Sequence, residues 1–376
     1  MIREHLAEGR PLSLYIHVPF CAKRCDYCAF YSLGEGAWDR DLVDSYYSTL
    51  SAQLCELVKE LDSPFDTIYI GGGNPILLGE ERLCRLLETA SRKGRAREVS
   101  MEINPENVTK SFDGLASWLT RVSVGIQSFD GESLRILGRQ STPQAAHRAL
   151  EILSSMNGLV LNADLMTNIP HRPLEVSLAD IETLSRYSPE HISLYSLTFE
   201  EGTRLVAREH PKSEEEEAAE LERLWDELAA RGYEHYEVSA FARDGHYCLH
   251  NLVYWNLGQY IGLGPSAESS VGYGHVVSSR EKDSLAEYLA HPSFDSVALT
   301  KEETVEEVVM TALRTKWGID KAEFLRRFGQ DFDSIFSSRV ASLEEEWYLD
   351  TPESFRLTRQ GLLVLDQIIV SLFLAL

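Results

Sequence analysis

The sequence predicts an α/β fold, a partial (βα)6 TIM-like barrel followed by a small C-terminal winged-helix-like α+β domain. Two patterns predict it: six short β-rich runs alternate with longer helical patterns, and after about residue 291 helices precede one short β run. The length of 376 residues also fits one large and one small domain, at ~150 residues per domain. We therefore expect domains at 1–290 and 291–376.

The first half of the chain carries the β–α alternation. The predicted strands are Leu12–Val18, Thr67–Ile70, Glu98–Ile103, Arg121–Ile126, Gly158–Asp164 and His191–Ser196, and the main predicted helices are Asp39–Leu61, Glu80–Ser91, Pro143–Met156 and Leu174–Tyr187. Such alternation indicates a parallel sheet with right-handed crossovers. Six units are too few for a closed eight-stranded barrel, so we favour an open partial barrel over a flat doubly wound sheet, which periodicity alone leaves open.

The last part of the chain has a different pattern. Helices are predicted over Thr304–Thr315 and Lys321–Phe328, a strand over Phe355–Thr358, and a final helix over the apolar run Ile368–Leu376. That run has nine residues, whereas a helix needs ~20 to cross a bilayer. The amino terminus has no apolar core of the kind found in secretory signals. We expect a cytoplasmic protein that does not span the membrane.

The charge balance excludes one large class of function. Lys and Arg number 36 and Asp and Glu number 59, which gives a net charge of −23. The longest charged run, 213–217, is acidic. Because so acidic a body repels phosphate backbones, we expect no nucleic-acid partner.

The cysteines are the most informative residues. Cys21, Cys25 and Cys28 form a C-x3-C-x2-C loop directly after the first predicted strand. In a reducing compartment this spacing favours metal binding over disulfides, and no fourth Cys or His lies at zinc-finger spacing. A [4Fe–4S] cluster held by three thiolates leaves one iron free for a small ligand. The alternative, three unrelated cysteines, is disfavoured by their position where barrel enzymes carry their chemistry.

The segment Tyr15-Ile-His-Val-Pro-Phe-Cys21, with the three cysteines, resembles the start of the radical SAM coproporphyrinogen oxidase family. This family includes oxygen-independent coproporphyrinogen III dehydrogenases and the heme chaperones of the HemW branch. The resemblance runs from about Tyr15 to the carboxyl terminus. It implies a radical SAM barrel with a [4Fe–4S] cluster on the three cysteines and S-adenosylmethionine (SAM) on the open iron. Tyr15 matches a tyrosine that flanks the cluster, although it would also suit an ordinary strand aromatic.

The resemblance also implies a set of SAM-binding residues. The matching positions are Gly72, Gly73 and Asn74 in a glycine-rich loop, Glu102 on the third strand, Gln127 on the fourth, and then Arg139 and Asp164. Glycine lets backbone approach a cofactor closely. Taken singly, each polar residue would also suit an ion pair or a cap. The chain departs from the family pattern at Asn74, where Thr is usual, and at Asn168 and His171, where a Gly-Leu-Pro-Gly continuation is usual.

Two features distinguish the branches of the family. Phe30 stands where the dehydrogenases carry a further cysteine, and His250-Asn-Leu-Val-Tyr-Trp255 resembles a motif tied to heme binding in the HemW branch. The resemblance implies heme at His250, Tyr254 and Trp255, since imidazole ligates heme iron and flat rings pack on a porphyrin. The alternative is a core histidine beside packing aromatics. Cys248 is a second candidate ligand.

The resemblance therefore implies a heme chaperone that carries a [4Fe–4S] cluster and SAM. Its partners would be heme, an electron donor for the cluster, and acceptor hemoproteins, with those of the membrane as candidates. Whether SAM is cleaved stays open at this point. The alternative function is that of the dehydrogenases, radical oxidative decarboxylation of coproporphyrinogen III. A radical enzyme acting on an unrelated substrate is a third hypothesis.

Overall fold

The computed structural model describes residues 2–109 and 113–373. The strands are β1 (Leu12–Val18), β2 (Thr67–Gly72), β3 (Glu98–Ile103), β4 (Arg121–Gln127), β5 (Val160–Thr167), β6 (His191–Ser196), β7 (Glu234–Glu237), β8 (Ala240–Ala242), β9 (Gln259–Leu263), β10 (Glu268–Gly272), β11 (Val276–Glu281), β12 (Phe294–Ala298), β13 (Ile319–Asp320), β14 (Tyr348–Asp350) and β15 (Ser354–Leu357). The α-helices are α1 (Arg40–Glu60), α2 (Glu80–Ala90), α3 (Asp113–Ala116), α4 (Gly131–Ile136), α5 (Pro143–Leu153), α6 (Leu174–Ser185), α7 (Glu214–Ala230), α8 (Leu249–Trp255), α9 (Leu285–Ala290), α10 (Lys301–Ala312), α11 (Lys321–Phe328), α12 (Phe332–Val340), α13 (Arg359–Leu363) and α14 (Leu365–Phe373). Short 3-10 helices cover Ile2–His5, Pro75–Leu78, Pro105–Asn107 and Glu345–Trp347.

One large sheet organises the first 300 residues. Its strand order is β12-β11-β10-β9-β1-β2-β3-β4-β5-β6-β8-β7, and the strands from β9 to β6 in that order are parallel to their neighbours. The other strands extend both ends of the sheet in antiparallel pairs. Within the described ranges the end strands β7 and β12 do not pair, so the sheet is open. This arrangement confirms the predicted α/β class and its open barrel.

All six predicted strands are present, and three differ from the prediction in a way that matters for the site. β2 extends through Gly72, β4 ends on Gln127, and β5 continues to Thr167. β9 adds a parallel strand beside β1 that the alternation did not predict. It follows α8 rather than a long amphipathic helix, and its Gly-rich stretch Gly258–Gly264 has little β-propensity.

Helix α1 illustrates how the sequence builds the outer layer. The Asp39 side chain caps it by accepting a hydrogen bond from the Leu42 amide at 2.9 Å. The helix buries one face, made of Val43, Tyr46, Leu50, Leu54 and Val58. These residues recur at spacings of three and four, so a single stripe covers the sheet.

The C-terminal part has its own aromatic core. β13, β15 and β14 form a small antiparallel sheet, and α10 to α14 surround it. Phe332 is 1% exposed and stacks on Phe336 and Phe355, with ring centroids 4.8 and 5.3 Å away. The apolar tail packs against this core through α14; its last residues, 374–376, lie outside the described ranges. β12 still belongs to the large sheet, and the division at 290/291 stays a prediction.

Main-chain hydrogen bonds join this part to the barrel. The segment after α10 lies beside β7, where the Val238 amide donates to the Arg314 carbonyl at 2.9 Å and the Lys316 amide donates to the Tyr236 carbonyl at 2.9 Å. Across the helices that the structure describes, none has the length and apolar character needed to cross a membrane.

Phe332→Ala is expected to destabilise the C-terminal part by about 3–5 kcal/mol, because it leaves a cavity where three phenyl rings meet. Denaturant titration of the free energy of unfolding measures this loss. Leu349→Ala, at a position 46% exposed in the same region, is the control and should change it by less than about 1 kcal/mol. Equal effects of the two substitutions would contradict the assigned core.

Candidate functional site

The residues predicted to bind cofactors gather at the carboxyl ends of the parallel strands. The cysteine loop follows β1, the glycine-rich loop begins at the end of β2, Glu102 lies near the end of β3, and Gln127 ends β4. Parallel strands present their carboxyl ends at one edge of the sheet, which is where barrel enzymes place their chemistry. The topology therefore brings together residues that are more than 100 positions apart in the chain.

The cysteine loop is held by hydrogen bonds from its surroundings. The Cys21 amide donates to the Leu33 carbonyl at 2.9 Å, and the Trp38 indole donates to the Cys21 carbonyl at 2.9 Å. All three thiols are half-buried and free of disulfides. Burial, with smaller contributions from the charges of Cys28 and Cys25, raises the pKa of Cys21 to about 11, although a hydrogen bond with Ser32 lowers it; the three thiols are therefore close enough to influence one another. Bound iron would favour the thiolates instead.

The described residues contain no group of three or more His, Cys, Asp or Glu side chains that could hold a single metal ion. A [4Fe–4S] cluster makes a different demand, because each thiolate binds a separate iron. The three cysteines therefore suit a cluster better than a single ion.

Asp26, within the cysteine loop, is a residue that the sequence analysis missed. Its side chain is buried and paired with Arg208, and Arg204 lies 3.8 Å away. Its amide donates to the Leu137 carbonyl at 3.0 Å, and its carbonyl accepts from the Leu205 amide at 2.8 Å. The loop is thus clamped between α4 and the segment before α7. These partners lie over 100 residues away, so no local pattern signals the clamp.

The glycine-rich loop packs directly on the cysteine loop. A Cβ on Gly73 would lie 2.5 Å from the Phe20 carbonyl oxygen and 2.9 Å from the Cys21 sulfur. Gly72 has a φ of +109°, a backbone conformation that residues other than glycine rarely adopt. Both glycines are therefore required by the geometry of the loop.

Glu102 faces the glycine-rich loop. Its carboxylate accepts hydrogen bonds from the Gly72 amide at 3.1 Å and the Tyr69 hydroxyl at 2.9 Å. Burial raises the pKa of Glu102 to about 7 and the charge of Asp164 adds to this, while the two hydrogen bonds lower it. A cationic group placed beside this carboxylate would keep it ionised, which suits the amino group of SAM.

Arg139 connects the cysteine loop to β4. It donates to the Gly125 carbonyl at 2.6 Å, to Asn104 Oδ1 at 3.1 Å and to Cys25 Sγ at 3.4 Å. Arg139 therefore supports the cysteine loop as well as the pocket next to it.

Three of the predicted SAM residues carry buried polar atoms with no hydrogen-bond partner in the described part of the chain. These atoms are Asn74 Oδ1, Gln127 Oε1 and Arg139 Nε. Unsatisfied buried polar groups are costly, and a bound ligand with hydroxyl, amine and adenine groups would satisfy them. The residues present thus fit SAM. Asp164 differs, because it already accepts hydrogen bonds from Ser123 and Asn162 at 2.8 Å.

Asn168 and His171, which depart from the family pattern, both have a left-handed backbone conformation. Their φ angles are +57° and +59°, in the left-handed region that glycine favours. The Asn168 side chain is fully buried and donates to the Ser196 hydroxyl at 2.9 Å. Asparagine tolerates this conformation better than most residues, which suits Asn168 to the turn after β5.

Tyr15 lies inside the barrel on β1. His17 Nε2 lies 2.8 Å from the Tyr31 carbonyl, which only accepts, so Nε2 carries the ring proton. Nδ1 therefore accepts a hydrogen bond from the Tyr15 hydroxyl at 2.9 Å. The Tyr15 ring packs against Tyr69, 6.2 Å between centroids. This environment agrees with the strand-aromatic interpretation, and its role beside a cluster stays a prediction.

His250 lies at the opposite end of the barrel. Helix α8 closes the amino ends of the strands, where its Leu249 and His250 amides donate to Glu98 at 3.1 and 3.0 Å. The length of β1, seven residues at ~3.3 Å each, separates this end from the cysteine loop by about 20 Å. The predicted heme motif and the predicted cluster site are therefore far apart.

Both ring nitrogens of His250 are engaged. Nδ1 lies 2.7 Å from the Thr67 hydroxyl, and Nε2 lies 2.8 Å from the Tyr254 hydroxyl. The imidazole is 0% exposed and stacks on Tyr69, and burial lowers its pKa to about 3. This geometry favours the alternative that the sequence left open, a hydrogen-bonded core histidine. Ligation of heme iron by His250 would require this network to open.

Cys248 is bonded to the buried carboxylate of Glu98, whereas Trp255 Nε1 is buried without a hydrogen-bond partner in the described residues. Cys248 is 4% exposed, and its thiol donates to Glu98 Oε1 at 3.6 Å. Burial raises the pKa of Cys248 far above its usual range, so it is a poor thiolate ligand. The Trp255 indole lies beside the buried carboxyl of Glu237.

Gly73→Ala is expected to hinder cluster assembly, because the added methyl group collides with the Phe20 carbonyl. Overpacking of this kind costs ~1–3 kcal/mol, here concentrated on the cysteine loop. Iron and sulfide per chain after anaerobic reconstitution measure the effect. Gly131→Ala, where a Cβ meets open space at the start of α4, is the matched control. Normal iron content in Gly73→Ala would show that the loops separate easily.

Glu237→Gln is expected to change how stability depends on pH. Burial raises the pKa of Glu237 to about 7, above the ordinary 4.5, so the folded state binds the proton more tightly. Wild-type stability should therefore fall as pH rises from about 4.5 to about 7, and the variant should gain about 3 kcal/mol relative to wild type over that interval. Denaturant titrations between pH 4.5 and 8 test this, with the exposed Glu201→Gln as control. Parallel pH profiles for wild type and Glu237→Gln would contradict it.

Comparison with known proteins identifies the family. Residues 15–184 match the radical SAM superfamily, and residues 299–364 match the HemN C-terminal domain. The chain is 32% identical to the heme chaperone HemW of Escherichia coli K12, over 97% of this chain and 98% of that protein. It is 29% identical to the heme chaperone HemW of Bacillus subtilis, over 95% and 97% of the two chains.

A solved structure shows the same fold. The coproporphyrinogen III oxidase HemN of Escherichia coli, described as a radical SAM enzyme, superposes with a TM-score of 0.81 at 20% identity, over 98% of this chain and 91% of that chain. At this identity the similarity concerns the fold alone. The near full-length match to heme chaperones is what decides the branch, and the chain belongs to the HemW family of radical SAM proteins.

Proposed function

We propose that this protein is a heme chaperone that carries a [4Fe–4S] cluster and SAM. The observation that carries the proposal is the set of three neighbouring thiols beside unpartnered buried polar atoms, in a chain related to heme chaperones along nearly its whole length. Heme is the cargo, and hemoproteins are the acceptors, with those of the membrane as candidates. A cytoplasmic location and an electron donor for the cluster belong to the same proposal.

Each group of residues has a proposed task. Cys21, Cys25 and Cys28 hold the cluster, and Arg139 positions Cys25 through its contact with the sulfur atom. The SAM pocket is made of Gly72, Gly73, Asn74, Glu102, Gln127, Arg139 and Asp164, with Tyr15 behind it. When bound, a reduced cluster would supply the electron for any cleavage of SAM. The chain itself orients SAM through Glu102 and the glycine-rich loop and fixes the cysteine loop through the contacts of Asp26.

Phe30 favours the chaperone over the dehydrogenase. Its side chain is 70% exposed next to the cysteine loop, where the dehydrogenases carry a further cysteine. A phenyl ring provides neither a thiolate nor a proton donor at that place. The dehydrogenase remains the second candidate because its fold is the same.

Anaerobic reconstitution with iron and sulfide, followed by heme titration, tests the proposal. We expect cluster and heme to bind the wild-type chain, and the triple variant Cys21→Ser, Cys25→Ser, Cys28→Ser to lose the cluster iron. Cys84→Ser, at a half-buried cysteine on α2, is the matched control and should keep it. Incubation with SAM, a reductant and coproporphyrinogen III is expected to yield no protoporphyrinogen IX. Its appearance would establish the dehydrogenase, and a chain that binds no heme would refute the chaperone.

A further inference from the structure

The end of strand β4 has a strained backbone. Gln127 has a φ of +64°, in the left-handed region that residues other than glycine rarely adopt. The pairing of β4 with β5 shifts register between Gly125 and Gln127, so β4 carries one extra residue there and forms a β-bulge. A bulge redirects the side chains beside it, and a strained residue persists only where its surroundings hold it. A contact from outside β4 is therefore needed to keep Gln127 in place.

Asp180 provides that contact from helix α6. Its carboxylate accepts a hydrogen bond from the Ser128 hydroxyl at 2.5 Å on one oxygen and from the Phe129 amide at 2.7 Å on the other. Ser128 is 0% exposed, and its hydroxyl oxygen also accepts a hydrogen bond from the Asp130 amide at 3.0 Å. The two residues that follow Gln127 are thus fixed by a side chain more than 50 positions away in the chain.

Asp180 has no ion-pair partner among the described residues. Its side chain is buried, and the nearby Arg172 pairs instead with Asp130, at 2.8 Å. Burial raises the pKa of Asp180 to about 6, the bonds from Ser128 and Phe129 lower it, and the charges of Asp130 and Arg172 act in opposite directions. Burying a carboxylate without a cationic partner costs free energy, which here only the hydrogen bonds to the turn offset. Holding this turn is therefore what the carboxylate does.

The amide of Gln127 lies in the pocket proposed for SAM. A Cβ on Gly125 would lie 3.1 Å from Gln127 Nε2 and 3.1 Å from Arg139 Nη2, so the two side chains lie beside the same glycine. Gln127 is buried, and its Oε1 has no hydrogen-bond partner in the described part of the chain. A buried, unpartnered amide oxygen is suited to accept a hydrogen bond from a ligand. The place of that oxygen depends on the backbone of Gln127.

We infer that Asp180 is a positioning residue for SAM: it holds the turn after β4 so that Gln127 keeps its left-handed backbone and presents its amide to the cofactor. The inference rests on the proposed function, because that proposal places Gln127 in the SAM pocket. Both oxygens of Asp180 bond to the turn, so Asp180 acts through Gln127 rather than by contact with SAM.

The turn has a second attachment, which does not involve Asp180. The Phe129 ring packs against His147 of α5, 5.0 Å between centroids, and His147 Nδ1 lies 2.6 Å from the Tyr187 hydroxyl. Removal of the Asp180 side chain is therefore expected to loosen the turn without detaching it from the helical layer. Neither attachment involves the cysteine loop, so the cluster should still assemble.

The SAM affinity of the reconstituted full-length protein tests the inference. Anaerobic equilibrium dialysis of the [4Fe–4S] form against radiolabelled SAM gives the dissociation constant. Asp180→Ala is expected to keep the wild-type iron content and to weaken SAM binding about tenfold, the value of one lost hydrogen bond. Glu182→Ala, at an exposed position on the same helix, is the matched control and should bind SAM like wild type.

A double-mutant cycle separates positioning of Gln127 from a general loss of structure. Gln127→Ala removes the amide and should also weaken SAM binding about tenfold. If Asp180 acts through this amide, adding Asp180→Ala to Gln127→Ala should cause no further loss. Losses that multiply to about a hundredfold would overturn the inference. So would wild-type affinity in either single variant, or loss of the cluster iron in Asp180→Ala.

The outcomes separate the inference from the proposed function. If wild type holds the cluster and binds SAM but any of the contrary results is found, the inference is wrong and the proposed function stands. If wild type with a full cluster binds no SAM, the inference and the SAM pocket of the proposed function both fall. Should circular dichroism show that Asp180→Ala does not fold, Ser128→Ala, which removes one of the same two bonds, takes its place in the cycle.

Discussion

The close packing of two loops is the constraint on which the rest of this site depends. The Gly73 amide donates to the Val18 carbonyl at 2.8 Å, and the Asn74 amide donates to the Phe20 carbonyl at 2.7 Å. These bonds join the ends of β1 and β2, and they form because Gly73 has no side chain to hold the backbones apart. They bring the cysteines next to the glycine-rich loop, and Glu102 and Arg139 then complete the surroundings. A cluster site and a pocket for its small-molecule ligand share one backbone framework.

The buried polar residues of the barrel lie in two groups, one at each end of the parallel strands. At the carboxyl end, Arg139 Nε has no hydrogen-bond partner in the described residues, and burial raises the pKa of Glu102. At the amino end, the buried pair of Arg121 and Glu98, 3.1 Å apart, bonds to the start of α8 and to the two carbonyls before its N-cap. Groups that are poised for a ligand thus lie at one end, and groups that fix a helix lie at the other. This difference explains why a histidine in a ligand-like motif is itself unavailable.

Short-range sequence patterns were enough to predict the end of the barrel that carries the cysteines. The three cysteines lie within eight residues, and the strand alternation places Glu102 and Gln127 at the same edge, so the cluster end followed from spacing and topology. The clamp on Asp26 did not, because Arg208 reaches it from another βα unit. The burial of His250 was equally hidden, since Thr67 and Glu98 approach it from two other strands. Aromatic and histidine residues in one helix do not reveal which face turns inward.

The main-chain bonds between β7 and the segment after α10 have a consequence for solubility. β7 is the last strand of the large sheet, and such strands expose unpaired amides and carbonyls that template pairing with other chains. Here Val238 and Tyr236 are occupied by Arg314 and Lys316. The C-terminal part therefore covers the edge strand β7. A shortened chain that ends before this part would expose the edge strand and be prone to self-association.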